Sequence, residues 1–474
     1  VLTARVITPF IPSRGVQLRS IVERISSSLV NAFKPNRADG EITRAKNYSD
    51  IGVIDESFDE IEYAPSKSFS KIRSLVKQPL LLGMLLTLFI SLLYSRNRFG
   101  SLSGGALAVA PASAFELITS YVNSWHLVGL GSSAAAPAWI PIIGIASFLT
   151  AANPQTFIAA LFFLTPTLLF TLSYRTARRY SLTKYSSVFV AFIYTFSPVT
   201  LAAINQGRIG TIVIALLLPG LFTLLEKNRG LENLTWRKIF SITLVASVSG
   251  AFSLLFLLIW ILFHLSVLIY TYFTLAKWRT GNRQQILKNL DTDEFKKRAA
   301  LIFTPILINV PISINLLLNP TSAIREPGLS IESANPLSIL LFNPGGPSSP
   351  NLFILAPFVL YLLIGLISKD QRKSATGALF AIVLAATLSS YYIEGNSSSA
   401  QRIYSGPLIV FAQLLTLLSI FAIAERILPQ LKRSNFGFRH IASVFTSVVT
   451  IVSMLSISIW SATLGADSLV RPNQ

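Results

Sequence analysis

From residue 79 onward the sequence returns repeatedly to long stretches almost empty of charge. The hydrocarbon core of a bilayer, ~30 Å thick, takes about 20 apolar residues as a helix, fewer where flanking side chains snorkel. Segments 79–94, 155–173, 187–204, 211–225, 239–252, 254–276, 299–318, 352–368, 375–392, 406–424 and 441–463 qualify as spans. Segment 137–152 is shorter, carries Pro137 and Pro141, and reads as re-entrant or interfacial. Charge scarcity supports this reading, since 13% of the 474 residues are charged where a soluble chain has roughly a quarter. The expected fold is therefore all-α, a polytopic membrane helix bundle with about 11 transmembrane helices. A string of soluble domains, which the length alone suggests, is excluded for most of the chain.

The net charge of +19 would point to nucleic acid in a soluble protein. Here it sorts by loop. With 79–94 leaving the cytoplasm and 137–152 not crossing, 34 of the 40 Lys and Arg residues fall inside. Arg96, Arg98, Arg208, Arg325, Arg402 and Arg471 remain outside. This bias predicts a cytoplasmic N-terminus, an extracytoplasmic C-terminus and no nucleic-acid partner; the bilayer itself is the first partner. A full crossing by 137–152 would invert the later loops. The run 239–276 is too long for one helix, and Gly250 is the expected break.

Residues 1–78 form a distinct region, with 12 basic and 9 acidic side chains and no long apolar run. Ile21, Ile25, Leu29 and Phe33 recur every fourth residue, the stripe of an amphipathic helix over 16–33. The acidic segment 50–62 reads as a linker. The chain opens on Val, without a signal peptide, and is expected to be the back part of something longer. The remainder, 79–474, is the transmembrane domain, with outer loops 95–136, 319–351 and 393–405.

Cysteine is absent, which removes disulfides, thiolate metal sites and a thiol nucleophile. No phosphate-cradling G-x-x-x-x-G-K-[ST] loop, H-E-x-x-H or D-x-D occurs, and Asn343–Pro347 reads as a turn. The outer loops hold few chemically able side chains. Glu116 lies on a helix-spaced stretch with Tyr121 and Trp125 interleaved and His126 just beyond, suited to the outer interface. Glu116 and His126 are the candidate catalytic base or metal ligands, so a divalent metal is a possible cofactor. The alternative is a solvated acid and a histidine bonded to backbone.

Arg208, in a short Gly-flanked turn between two apolar helices, suits a phosphate or anchors the helix pair. Arg402, near Tyr404, has the same two readings, and an ion pair with Glu394 would make it structural. Glu326 and Glu332 are the other outer acids that would complete a site. His264, in mid-helix, is expected to be a satisfied packing residue.

The run Gly104-Gly-Ala-Leu107, then Glu116-Leu, Tyr121, Trp125-His126-Leu-Val-Gly129-Leu-Gly131, resembles the large actinobacterial membrane glycosyltransferases. In these a family-two glycosyltransferase domain precedes a polytopic region. Phe196-Ser-Pro198 and Gln206-Gly-Arg208-Ile-Gly210-Thr resemble the same proteins' Gly-Arg-Leu-Gly-Thr element. The polytopic part is more distantly similar to the C-type glycosyltransferases. Two departures stand out: the Asp-rich nucleotide-sugar site is absent, and Glu116 stands where the family has Asp.

The resemblance implies a plasma-membrane protein of cell-envelope glycan assembly. Its partners would be a polyprenyl-phosphate-linked sugar or glycolipid and a cytoplasmic family-two domain. Arg208 and Arg402 would hold the donor phosphate, with Trp125, Tyr121, Tyr404 and Glu394 lining the substrate. A flippase for lipid-linked glycan and a non-catalytic membrane anchor are the competing readings. The flippase needs polar residues inside several helices, of which His264 is one of few.

Overall fold

The computed structural model describes residues 78–463 except 96–99, 127–135, 227–233, 279–292, 325–327, 329–332, 346–351, 394–400 and 432–436. The expected helix at 16–33, the acidic linker, Glu326, Glu332 and Glu394 lie outside the described residues. By contact the chain divides into one unit at Ser13–Leu81 and another holding Leu82–Gln474; the fold below is that of the second.

The described residues are helical almost throughout. In chain order come α1 (Pro79–Tyr94), α2 (Ala114–Val122), α3 (Trp139–Ala146), α4 (Pro154–Arg179), α5 (Lys184–Thr195) and α6 (Pro198–Asn205). They are followed by α7 (Ile209–Glu226), α8 (Trp236–Phe252), α9 (Leu254–Trp278), α10 (Asp293–Ile308) and α11 (Ile312–Leu318). The last are α12 (Pro336–Leu340), α13 (Leu352–Ile367), α14 (Arg372–Ser389), α15 (Gly406–Leu431) and α16 (Phe438–Thr463). Between α14 and α15 a two-residue antiparallel ribbon pairs β1 (Tyr392–Ile393) with β2 (Gln401–Arg402).

Starts are encoded locally. Asn153 caps α4 by accepting from the Thr156 amide at 3.1 Å, and Thr183 caps α5 by accepting from that of Ser186 at 3.3 Å. Pro154, Pro198 and Pro336 stand in first turns, where no amide hydrogen is needed.

This is a membrane bundle. Among the described residues α4, α15 and the 440–457 stretch of α16 are long and apolar enough to cross alone. The pairs α5–α6, bent by 41°, and α10–α11, bent by 110°, pass only together. Several other helices are equally apolar but shorter. Large apolar side chains such as Phe89, Phe380, Leu363, Val444 and Phe445 are exposed, as expected of surfaces that face lipid.

Inside, α4 packs on α5 and α7, α8 lies against α7 and α10, and α13 meets α14, α15 and α16. Small residues permit the approach: a Cβ at Gly365 would stand 2.9 Å from that of Ala375 and 3.0 Å from the Ser419 hydroxyl. Many helical hydroxyls bond to the preceding turn, as Thr165 does to Leu161 O at 2.6 Å.

Three expectations change. The break in 239–276 falls at Ser253, whose hydroxyl accepts from the Phe256 amide at 3.2 Å. Gly250 stays helical, and what it supplies is room for Leu257, 3.0 Å from its would-be Cβ. The 299–318 run is no straight span. It turns between Ile308 and Ile312, where Asn309 donates to Ser247 O at 3.1 Å and to Pro305 O at 2.8 Å. His264 packs on Trp260 and Phe263 as expected, but among the described residues neither of its ring nitrogens has a hydrogen-bond partner. Segment 137–152 folds as α3 plus a short 3₁₀ turn at Ser147–Thr150. Its eight α-helical residues extend only about 12 Å, too short to cross alone.

Candidate functional site

The turn between α6 and α7 is closed by its own backbone. The Arg208 amide donates to Ala203 O at 2.9 Å and the Gly207 amide to Ile204 O at 3.4 Å. This nested pair ends a helix through a residue with positive φ, and Gly207 supplies it at φ 72°. Arg208 is thereby delivered to one fixed place at the start of α7.

That place is enclosed. Arg208 is 1% exposed, and with Tyr194 and Tyr361 it is among the largest fully buried side chains described. Its Nε donates to Gln206 Oε1 at 2.7 Å, and its guanidinium lies over the Tyr404 ring, 3.6 Å from the centroid. A desolvated cation on a ring face contributes about 2 kcal/mol. Gln206 passes the connection on, donating from Nε2 to Gly345 O at 2.8 Å and accepting at its main-chain carbonyl from the Ala106 amide at 2.7 Å.

The three loops therefore converge on this turn. Loop 95–136 arrives through Ala106, 319–351 through Gly345 and 393–405 through Tyr404. Glycines make the junction possible. A Cβ at Gly328 would stand 2.1 Å from Ala106 O, and one at Gly406 would stand 2.3 Å from Tyr404 Oη. Gly345 has φ 74°, and its Cβ would meet the Ala334 amide nitrogen at 2.1 Å. Gly345→Ala is expected to lower stability by about 2–3 kcal/mol, through left-handed strain and a backbone clash. The thermal unfolding midpoint of the purified chain checks it, and an unchanged midpoint would show that the junction gives way easily.

Glu116 lies in the first turn of α2 and is exposed. Ala114 ties the helix start to Ala152 O at 2.8 Å, and Gly144 lets α3 pack on Ile118. Tyr121 donates to Val310 O at 3.3 Å, so its hydroxyl holds α2 to the α10–α11 bend. Trp125 is 56% exposed and His126 is half-buried. Phe115 and Phe148 stack edge to face at 5.6 Å, and both remain exposed, as do Ile145 and Leu149. The α2–α3 pair is a hairpin with an apolar outer edge, the form expected of an interfacial element.

Arg402 is half-buried on β2. It donates to Ser389 O at 3.3 Å and lies 4.7 Å from the centroid of the Tyr392 ring, its partner across the ribbon. The Glu394 pairing lies outside the described residues. Among the described residues no three His, Asp or Glu side chains gather as a metal would need. Gln206 and Tyr392 were not singled out from sequence. A side-chain amide beside a buried arginine between apolar helices was the available signal for Gln206; for Tyr392 there was none, since only the ribbon register pairs it with Arg402.

No family model and no curated protein matches the sequence. Solved structures do. The cryo-EM structure of the arabinofuranosyltransferase AftD from mycobacteria aligns over 82% of this chain at 13% identity with a TM-score of 0.50. This chain spans 27% of AftD's length. The oligosaccharyltransferase of Archaeoglobus fulgidus (12% identity, 83% of this chain and 57% of that one, TM-score 0.44) and ArnT from Cupriavidus metallidurans (13%, 85% and 76%, 0.41) overlap less closely. The likeness to AftD shows a shared fold over that part of its length.

Proposed function

We propose that this chain is a membrane glycosyltransferase, or the membrane half of one, acting in cell-envelope polysaccharide or glycolipid assembly. Its donor would be a polyprenyl-phosphate-linked sugar. The observation that carries the reading is the convergence of three loops on Arg208, with Glu116 on one loop and Arg402 on another. The fold shared with AftD supports it.

In this reading the acceptor hydroxyl attacks the anomeric carbon and the carbon–oxygen bond to the carrier phosphate breaks. The phosphate leaves on its lipid with both bonding electrons. Glu116 takes the hydroxyl proton, and His126, beyond the end of the same helix, is the other candidate base. Arg402, partly exposed, neutralises the leaving phosphate, which a guanidinium fork does well. Arg208 is buried under Tyr404 and acts mainly as a positioning residue, holding the loops that carry the other groups. Trp125, Tyr121, Tyr404 and Glu394 would border the sugar and lipid. The topology that goes with this has eleven crossings, the N-terminus in the cytoplasm and the site outside. An upstream family-two domain would be the partner on the cytoplasmic side.

The test is transfer of labelled sugar from a polyprenyl-phosphate donor by the chain reconstituted in vesicles. Arg402→Gln is expected to raise the donor KM about tenfold with little change in kcat, as loss of one charge-assisted contact predicts. An unchanged KM would remove Arg402 from the phosphate site. Movement of donor between leaflets without transfer would favour the flippase instead.

A further inference from the structure

Far from the Arg208 turn in sequence, α9 and α10 are joined by the Trp260 indole, which donates to Leu301 O at 2.8 Å. One turn after Trp260 stands His264, and one turn before Leu301 stands Arg298, so the two face the same seam. Both are 2% exposed. His264 packs edge-on against Trp260 at 4.5 Å and Phe263 at 5.2 Å, yet among the described residues neither of its ring nitrogens has a hydrogen-bond partner. Arg298 gives one Nη2 contact to Glu294 at 2.6 Å, while its Nε and Nη1 have none among the described residues. Lys297, 3% exposed, pairs with Asp293 on the same helix.

Buried donors are almost always satisfied, and each idle one costs about 1–3 kcal/mol, more where the group is charged. Arg298 leaves three N–H bonds idle in the seam, and His264 adds at least one in either tautomer. A single water offers two acceptor lone pairs. A tetrahedral oxyanion offers several at once, with the charge that a guanidinium prefers. Glu294 and Asp293 pair with Arg298 and Lys297 on their own helix, and Arg298 keeps Nε and Nη1 for a further acceptor. On the same two helices Leu262, Leu265, Ile269 and Phe303 are exposed apolar surface of the kind that acyl chains cover.

We propose that the α9–α10 seam is a phosphate-binding site, taking the headgroup of a membrane phospholipid or inorganic phosphate, with Arg298 Nε and Nη1 and a His264 ring nitrogen as donors. It shares no residue with the Arg208 turn described above and does not depend on the chain being a transferase.

The experiment uses the full chain, delipidated in a phosphate-free nonionic detergent, with thermal unfolding read against added dioleoylphosphatidylglycerol, inorganic phosphate or dioleoylglycerol. The phospholipid is expected to raise the midpoint and dioleoylglycerol, which lacks phosphate, to leave it. Arg298→Gln should weaken the half-saturating phospholipid concentration about tenfold or more, and the exposed Lys296→Gln less than twofold. Protection by inorganic phosphate alone would assign the site to the free anion, and protection by phospholipid alone to a headgroup. Equal protection of Arg298→Gln and wild type, equal protection by dioleoylglycerol, or no protection by either phosphate source would overturn the proposal. Should Arg298→Gln fail to fold, His264→Gln carries the same comparison.

Discussion

Replacing Arg208 with alanine is expected to lower the stability of the chain by about 3–5 kcal/mol, seen as a large fall in the thermal unfolding midpoint and in the monodisperse fraction after purification. Three losses add up. Gln206 Oε1 loses the donor at 2.7 Å, the Tyr404 ring loses the cation on its face, and a void opens where a large side chain was enclosed. One effect opposes them, because a buried cation carries a desolvation cost that alanine removes. The losses win because the Gln206 side chain also holds Gly345 O, so its misplacement loosens the 319–351 loop as well. Arg208→Lys should recover little, since an ammonium neither stacks flat nor keeps the fork geometry. A near-normal midpoint in Arg208→Met, which fills the volume without the hydrogen bond, would assign the effect to packing alone.

Glu116→Gln is expected to do the opposite: leave the fold intact and abolish most of the chemistry. Glu116 is exposed on α2, so its replacement should shift stability by no more than about 0.5 kcal/mol. Loss of a general base lowers the rate about 10²–10⁴-fold, and the effect should fall on kcat for sugar transfer rather than on the donor KM. Transfer within a factor of two of wild type would falsify the role given to Glu116. Glu116→Asp, which keeps the carboxylate on a shorter stem and matches the residue of the resembling family, should restore part of the rate. The two substitutions together separate a residue that builds the site from one that would use it.

The class of fold was legible because lipid imposes a strict rule: apolar runs must be helical where no water can satisfy the backbone. The helix bends were less legible. Ser253 and Asn309 break or turn helices through a hydroxyl cap and through bonds such as Asn309 to Ser247, 62 residues away. No window along the chain contains that contact. The same limit applies to the site. Gly207-Arg208 announced a tight turn, because glycine before a lone arginine between apolar runs is a local signal. That Tyr404 lies on the guanidinium, 196 residues later, depends on how α15 begins, and on Gly406 leaving room for the ring. His264 misled for a related reason: an apolar neighbourhood in sequence says nothing of Arg298 on the next helix.

The α2–α3 hairpin has an outer edge of Phe115, Ile145, Phe148 and Leu149 beside the one carboxylate on which the proposed chemistry turns. A pair of helices so edged behaves as a float, riding where oil gives way to water, with its depth set by the bilayer rather than by the bundle alone. Thinning or thickening the membrane would then raise or lower Glu116 relative to any substrate whose own depth is fixed by its tail. The turnover of such a protein would be tuned by lipid chain length, with the greatest rate where float and substrate come level.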